Sequence, residues 1–196
     1  MQACRMTATD LACRRGDRVL FRGLSLALGP SEALQIRGVN GAGKTSLLRI
    51  VAGLLRPLAG QVSSTGAIGL LDEHPALDPH RALGAALAFW AEFDGVGFLA
   101  RESIADRLGL GDLLDVPVRY LSTGQRKRAA FARLIGHGAA IWLLDEPLNG
   151  LDREAVGLVE ELTTEHCSAG GICVVASHQP FALAGLQMLD LADHPA

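Results

Sequence analysis

The sequence lacks the charge imbalance that marks many proteins whose partners are nucleic acids. Its 196 residues include 18 Lys and Arg against 21 Asp and Glu, which gives a formal net charge of −3 at pH 7. Domains that bind polyanions normally carry a strong basic excess. We interpret the dense basic run Arg126–Arg128 as a solvated helix face. The composition therefore predicts no nucleic-acid partner.

The cysteine spacing of metal and redox sites is also absent. Of the four cysteines, Cys4, Cys13, Cys167 and Cys173, no two have the C-x-x-C spacing. Cys173 lies in an apolar run and is predicted to be a small core residue. We interpret all four as reduced thiols of a cytosolic protein.

No apolar run in the sequence is long enough to cross a bilayer. The longest apolar-rich stretch, Ala82–Phe93, is shorter than the roughly 20 residues that a membrane helix needs. The first ten residues lack the apolar segment of a secretory signal. If the protein acts at a membrane, another chain is expected to supply the membrane part. We interpret Ala82–Phe93 as the apolar face of a helix, or alternatively as part of a groove for a membrane partner.

The order of apolar runs and turn residues predicts an α/β fold. Hydrophobic residues make up 49 % and charged residues 20 %, with no repeat or low-complexity linker, so we predict a single domain over residues 1–196. Helices and strands alternate in the second half, which predicts a mostly parallel sheet whose ligands bind at the carboxyl ends of its strands. Strands are predicted over 33–37, 68–71, 140–144 and 172–176, with further strands and tight turns within 5–38. Helices are predicted over 44–52, 122–135 and 152–166, with an Ala/Leu-rich helical stretch over about 81–115 that is broken at Gly109 and Gly111.

A phosphate-binding loop follows the strand at 33–37. The run Gly38-Val39-Asn40-Gly41-Ala42-Gly43-Lys44-Thr45 matches the pattern G-x-x-x-x-G-K-[ST]. Glycines let the backbone wrap around phosphates, and the helix start that follows offers unpaired N–H groups. Lys44 is expected to reach the β- and γ-phosphates, Thr45 to ligate Mg²⁺, and Ser46 to complete the site. The sequence therefore predicts an ATP site with a Mg²⁺ cofactor.

Two acids and a histidine follow neighbouring apolar strands. Asp145 would hold Mg²⁺, mainly through water, and Glu146 would act as the general base on the attacking water. His178 stands after the strand at 172–176, within reach of the γ-phosphate if both strands are parallel. Taken alone, the acids also fit a solvated strand end and the histidine a structural role.

The signature that identifies a family precedes the acidic strand. Leu121-Ser122-Thr123-Gly124-Gln125 resembles the LSGGQ motif of ABC-transporter nucleotide-binding domains, and the other motifs occur in that family's order. The resemblance implies a P-loop NTPase core, an antiparallel β subdomain and a small helical subdomain over about 76–135. It also implies a head-to-tail homodimer, in which Ser122, Thr123, Gly124 and Gln125 close over ATP held by the other copy. Asp152 would then lie at the dimer seam.

Three positions depart from the family pattern. Thr123 replaces a glycine, a change small enough for function to survive. The glutamine expected after the strand at 68–71 is missing, and Glu73 or His74 stands in its place. Arg14-Arg15 replaces the aromatic residue that usually stacks on adenine, and a guanidinium plane could stack instead.

Within that family, the finer resemblance is to the ATP-binding subunits of cytochrome c maturation systems, also called haem exporters. The run Asn40–Ile50, the segment Asp115–Arg119 and Ser177-His178-Gln179 carry it. It implies integral membrane permease subunits as partners, a peripheral place on the cytoplasmic side of the inner membrane, and ATP-driven release of a haem-chaperone complex. The alternatives are the cassette of another transporter, a soluble ABC protein acting on ribosomes or DNA, and a regulator that barely hydrolyses ATP.

Overall fold

An antiparallel sheet is formed by the first third of the chain. The computed structural model describes residues 4–72, 75–94 and 104–195. Strands β1 (Arg5–Arg15), β2 (Arg18–Leu28) and β4 (Ala59–Thr65) pair in the order β2-β1-β4. The turn between β1 and β2 passes through Gly16, whose φ of 58° suits a residue without a side chain. β4 was not predicted, because its residues are mostly exposed and show no apolar alternation.

A five-stranded parallel sheet forms the centre of the molecule. It contains β3 (Ala33–Arg37), β5 (Ile68–Leu71), β6 (Ile141–Asp145), β7 (Ile172–Ala176) and β8 (Gln187–Asp190), in the order β5-β6-β7-β3-β8. The first four strands were predicted to within a residue of their bounds. The edge strand β8 was not, because it is mostly exposed and lacks a buried apolar run.

Helices cover both faces of this sheet. They are α1 (Lys44–Val51), α2 (Leu83–Phe93), α3 (Thr123–His137) and α4 (Arg153–Ser168). Alternate residues of β6 separate the two cores, since Trp142 and Leu144 face α2, α3 and α4, whereas Ile141 and Leu143 face α1 and the antiparallel sheet. Burial on both faces explains why β6 is apolar from Ile141 to Leu144, before Asp145 at its carboxyl end.

The stretch predicted as helical over 81–115 is more broken than its composition suggested. Helix α2 occupies 83–93, a helical turn spans 104–107, and short 3₁₀ turns cover Gly111–Leu113 and Val118–Tyr120. Gly109, with a φ of 61°, ends the turn as expected. Residues 95–103 of the prediction lie outside the described part of the chain.

The described residues contain no helix that is both long and apolar enough to span a bilayer. Helix α2 buries Leu83 and Leu87 and leaves Phe89 and Phe93 exposed. All four cysteines are buried free thiols. Complete burial raises the pKa of Cys173 well above its ordinary value, so this thiol stays protonated and inert.

Candidate nucleotide site

Three adjacent strands deliver the predicted site residues to one edge of the parallel sheet. β7 lies between β3 and β6, and Ala176 is level with Ile36 on one side and Asp145 on the other. The phosphate loop follows β3, Glu146 follows β6 and His178 follows β7. The order of strands and motifs along the chain predicted that these residues would meet at one edge of the sheet. The strand register shows that they do.

The phosphate loop has the open backbone that anion binding requires. Gly38, Gly41 and Gly43 have φ values of 148°, 81° and 110°, which other residues rarely adopt. At Gly43 a side chain would also collide with Leu20 and Phe21 at 3.2 Å. Helix α1 begins immediately afterwards with no side-chain cap and no acid in its first turn, so its first N–H groups remain available to an anion.

A single cleft of about 520 Å³ brings most of the predicted residues together. Its volume falls within the usual range for small-molecule sites. Gly38, Val39 and Ala42 belong to the same loop but do not line the cleft, and Val39 is largely exposed to solvent. The lining residues are Arg15, Leu20, Asn40, Gly41, Gly43, Lys44, Thr45, Ser46, Asp145, Glu146, Asn149 and His178.

Lys44, Glu146 and His178 form a connected polar group in this cleft. Lys44 Nζ donates to the Gly38 carbonyl at 2.9 Å and lies 3.8 Å from Glu146 Oε1. The other carboxylate oxygen, Glu146 Oε2, lies 2.9 Å from His178 Nδ1. The Glu146 side chain is 14 % exposed and that of His178 is 54 % exposed. A carboxylate and an imidazole held in contact at an open cleft are the group types that acid–base chemistry uses.

The backbone of Glu146 is held in an unusual conformation. Its φ of 45° is uncommon for a residue with a side chain. Its N–H donates to the Ala176 carbonyl at 2.8 Å, and its own carbonyl accepts from Lys127 Nζ of α3 at 2.9 Å. These contacts aim the carboxylate into the cleft. Lys127 was missed in the sequence, because its basic run was interpreted as a solvated helix face.

The cleft wall on the side of the antiparallel sheet contains Arg15 and Leu20. No aromatic side chain is among the described lining residues. Arg15 therefore stands where the sequence suggested a guanidinium in place of an aromatic ring. Burial raises the pKa of the Cys13 thiol and outweighs the opposing hydrogen bond with Ser46, which disfavours the reactive thiolate form.

The signature residues line a different cavity. Ser122, Thr123, Gly124 and Gln125 surround it together with Asp152. The described structure of a single chain thus does not bring them to the phosphate loop.

The start of α3 is fixed by a reciprocal cap. Ser122 Oγ accepts from the Gln125 N–H at 3.2 Å, while Gln125 Oε1 accepts from the Ser122 N–H at 2.8 Å. Thr123 fits because its neighbour is Gly150, where an added side chain would meet Thr123 Cγ2 at 3.0 Å. Asp152 caps α4 through the Ala155 N–H at 2.8 Å. Glu73 and His74, the candidate replacements for the missing glutamine, lie outside the described residues.

Comparison with known proteins agrees with this geometry. The profile of the ABC transporter family matches residues 21–149. A cytochrome c biogenesis ATP-binding export protein CcmA from Novosphingobium aromaticivorans is 56 % identical over 189 residues, which cover 96 % of each chain. The CcmA protein of Sphingopyxis alaskensis is 50 % identical over 179 residues, covering 91 % of this chain and 92 % of that one.

Solved structures agree at the level of the fold. An ABC transporter ATP-binding protein from Pyrococcus furiosus superposes with a TM-score of 0.85 at 21 % identity, covering 98 % of this chain and 100 % of that one. A metal-chelate type ABC transporter in an inward-facing conformation gives a TM-score of 0.80 at 23 % identity, with coverages of 97 % and 79 %.

The fold and the family match together define an ATP-hydrolysing subunit of the ABC transporter class. Within that class, the chain belongs to the CcmA family of ATP-binding export proteins.

Proposed function

We propose that this ATPase serves cytochrome c biogenesis as the energy-supplying subunit of a membrane complex. The observation that carries the proposal is the 56 % identity to a cytochrome c biogenesis CcmA protein along 96 % of both chains. ATP hydrolysis then drives a haem-related export step, with release of a haem-chaperone complex as its outcome. The protein binds peripherally on the cytoplasmic side of the inner membrane, and integral permease subunits are its partners.

Each polar group of the cleft has a role in the proposed reaction. Glu146 accepts a proton from the attacking water, because its carboxylate is the base that the backbone aims into the cleft. His178 orients the γ-phosphate and Glu146 at once, supported by the 2.9 Å contact between Nδ1 and Oε2. Lys44 exchanges its contact with the Gly38 carbonyl for the β- and γ-phosphates. The guanidinium of Arg15 stacks on the base.

A Mg²⁺ ion fits the oxygen donors of this cleft. The Thr45 hydroxyl and the Asp145 carboxylate both line it, and hard oxygen ligands are those that Mg²⁺ prefers. Among the described residues, those of the cleft included, no group of three or more His, Cys, Asp or Glu side chains could hold a metal. An ion in the cleft would therefore take its remaining ligands from phosphates and water. When bound, the ion neutralises phosphate charge.

Two copies of the chain are needed for a complete site. The phosphate loop and the signature line separate cavities of one chain. Head-to-tail pairing brings Ser122 and the N–H groups at the start of α3 onto the γ-phosphate of ATP in the partner. Asp152 then lies at the seam. The whole chain forms one cassette, 1–196, with a helical subdomain over about 76–135.

A groove beside the signature helix is the proposed contact for a permease. Asp72, Leu77, Val118 and Arg119 line it, together with Lys127. The groove mixes apolar and charged walls, as a surface for a short amphipathic segment would. The exposed ring of Phe89 on α2 belongs to the same proposed subdomain, but none of the described residues 82–93 lines this groove.

The test is recovery of partners from cells. Tagged Glu146→Gln protein, which should trap the ATP-bound state, is expressed in its source cell, and membranes are solubilised gently. Mass spectrometry is expected to identify cytochrome c maturation membrane subunits. A different permease would leave the ATPase intact and overturn the cytochrome c assignment. Ribosomal or DNA-bound partners would overturn the membrane role.

A further inference from the structure

Strand β3 contains a buried side-chain amide, Gln35, where a strand in the middle of a parallel sheet normally has an apolar residue. Gln35 is 1 % exposed and stands between Leu34 and Ile36, in a strand with parallel neighbours on both sides. Strands of this kind are normally apolar, because both faces are covered. A fully buried polar side chain needs hydrogen-bond partners.

The amide of Gln35 donates to the backbone on both sides of His178. Its Nε2 lies 2.7 Å from the Gln179 carbonyl oxygen and 3.3 Å from the Ser177 carbonyl oxygen. A carboxamide nitrogen carries two hydrogens, so one group can serve both carbonyls. The two residues that flank His178 are thereby tied to the strand that leads into the phosphate loop.

Further contacts fix the same turn. The Gln179 N–H donates to Ser177 Oγ at 3.0 Å, and Gln179 Nε2 donates to Asn149 Oδ1 at 3.0 Å. Asn149 lines the nucleotide cleft three residues after Glu146. The His178 ring is about half exposed, so packing alone holds it weakly. Its contact with Glu146 Oε2 therefore depends on where the backbone of residues 177–179 places the ring.

We propose that Gln35 is a positioning residue for His178. By holding the carbonyls before and after His178, it sets the ring so that Nδ1 meets Glu146 Oε2. This inference rests on the proposed role of His178 in ATP hydrolysis. It adds that a buried amide on the strand before the phosphate loop controls that role without touching the nucleotide.

The test is a double-mutant cycle in ATP hydrolysis by the full chain, or by the membrane complex recovered with it. Gln35→Met keeps the length of the side chain and removes both donors. We expect kcat to fall about tenfold or more, as for misplaced catalytic groups, with KM for ATP within about twofold. In a His178→Ala background, Gln35→Met should cause no further loss.

A matched substitution separates positioning from general damage. Gln61→Met, at an exposed position of β4, should leave kcat unchanged. Should Gln35→Met fail to fold by circular dichroism, Gln35→Glu replaces it in the cycle, since the acid has the same shape and donates at most one hydrogen. Its loss must also vanish in the His178→Ala background.

The outcomes distinguish this inference from the proposed function. Full kcat in the folded Gln35 variant, or losses that add to that of His178→Ala, would overturn the positioning role alone. Full kcat in His178→Ala itself would overturn the proposed role of His178, and the role of Gln35 with it.

Discussion

At the scale of single residues, the cleft contains a carboxylate whose backbone is strained. Glu146 has a φ of 45°, and a left-handed residue with a side chain costs on the order of 1–3 kcal/mol. Hydrogen bonds from its N–H to Ala176 and from Lys127 to its carbonyl offset that cost. Such strain persists where the surroundings over-determine a conformation, as expected for a group that must face a substrate.

Replacing this carboxylate should separate binding from chemistry. Glu146→Gln keeps the shape and removes the base, so kcat should fall about 100-fold or more while ATP affinity stays within a few-fold. Nucleotide binding is measured by fluorescence titration, and turnover by phosphate release. Steady-state turnover equal to that of the unchanged protein would refute the general-base role. Glu154→Gln, on the exposed start of α4, is the control and should match the unchanged protein in both assays.

At the scale of elements, α3 connects the signature to the proposed base, Glu146. Ser122 caps the start of this helix, and Lys127, in its second turn, donates a hydrogen bond to the Glu146 carbonyl. The same Lys127 lines the groove proposed for a permease. One helix therefore contacts the signature cavity, the groove and the Glu146 backbone.

Lys127→Met should lower kcat with little change in ATP affinity. The substitution keeps most of the side-chain length and removes the donor to Glu146, so the carboxylate loses part of its orientation. A fall of about tenfold is expected, with partial recovery in Lys127→Arg. Arg126→Met, at the preceding exposed position, serves as the control. A parallel loss in both variants would point to surface charge instead of the contact with Glu146.

Helix α4 and strand β6 are joined by a pH-sensitive contact. The rings of His166 and Trp142 stack at 4.0 Å with 9° between their planes, and His166 Nε2 lies 3.2 Å from the Ile172 carbonyl oxygen. Burial lowers the pKa of His166 and outweighs the opposing effect of its backbone hydrogen bonds. The unfolded chain therefore binds a proton more readily than the folded protein does.

The folded protein should accordingly lose stability in acid. Below the unfolded pKa of about 6.5, the unfolded state takes up the proton first, so the free energy of unfolding falls as the pH falls towards the folded pKa. The free energy of unfolding should change by less than ~1.4 kcal/mol per pH unit, the value for one full proton, because the ring is only half-buried. Urea unfolding at pH 7.5 and 5.5 measures it. His166→Phe keeps the stacking and should show a flatter dependence than the unchanged chain; equal slopes would contradict the assignment.

At the scale of the whole molecule, the phosphate loop and the signature lie in two separate cavities. The cleft with the phosphate loop and the cavity with the signature are lined by different residues. Asn149 lines the first and Gly150 the second, so the link between them is a single peptide bond. If two copies pair, a movement of this peptide bond would change both cavities at once.

Ser122→Arg should block pairing of two chains and leave nucleotide binding by one chain intact. A large cation at the start of α3 fills the signature cavity, which lies apart from the phosphate loop. In the Glu146→Gln background, size-exclusion chromatography with ATP should show a dimer that Ser122→Arg abolishes. Ser63→Arg, on exposed β4, should leave the dimer in place. Loss of ATP binding by the isolated Ser122→Arg chain would contradict the separation of the two sites.

The sequence by itself determined four of the five parallel strands and the motifs at their ends. Runs such as 141–144 and 172–176 are apolar throughout because both of their faces are buried, and this burial makes them recognisable without a structure. The phosphate loop could be recognised in the sequence for a different reason, because wrapping a backbone around an anion requires glycines at fixed spacing. Edge strands β4 and β8 carry no such signal, because backbone pairing rather than side-chain burial holds them.

Only the tertiary structure decided which side chains support the site. Gln35 precedes His178 by 143 positions in the chain, and Lys127 precedes Glu146 by 19. Yet Gln35 donates a hydrogen bond to the residue after His178, and Lys127 donates one to Glu146 itself. Neither lies in a phosphate-binding or acidic motif, and a lone amide in an apolar strand was the one hint for Gln35. Hydrogen bonds between residues distant in sequence depend on how strands and helices are registered. That register is fixed by packing of the two cores, which no local pattern of residues encodes.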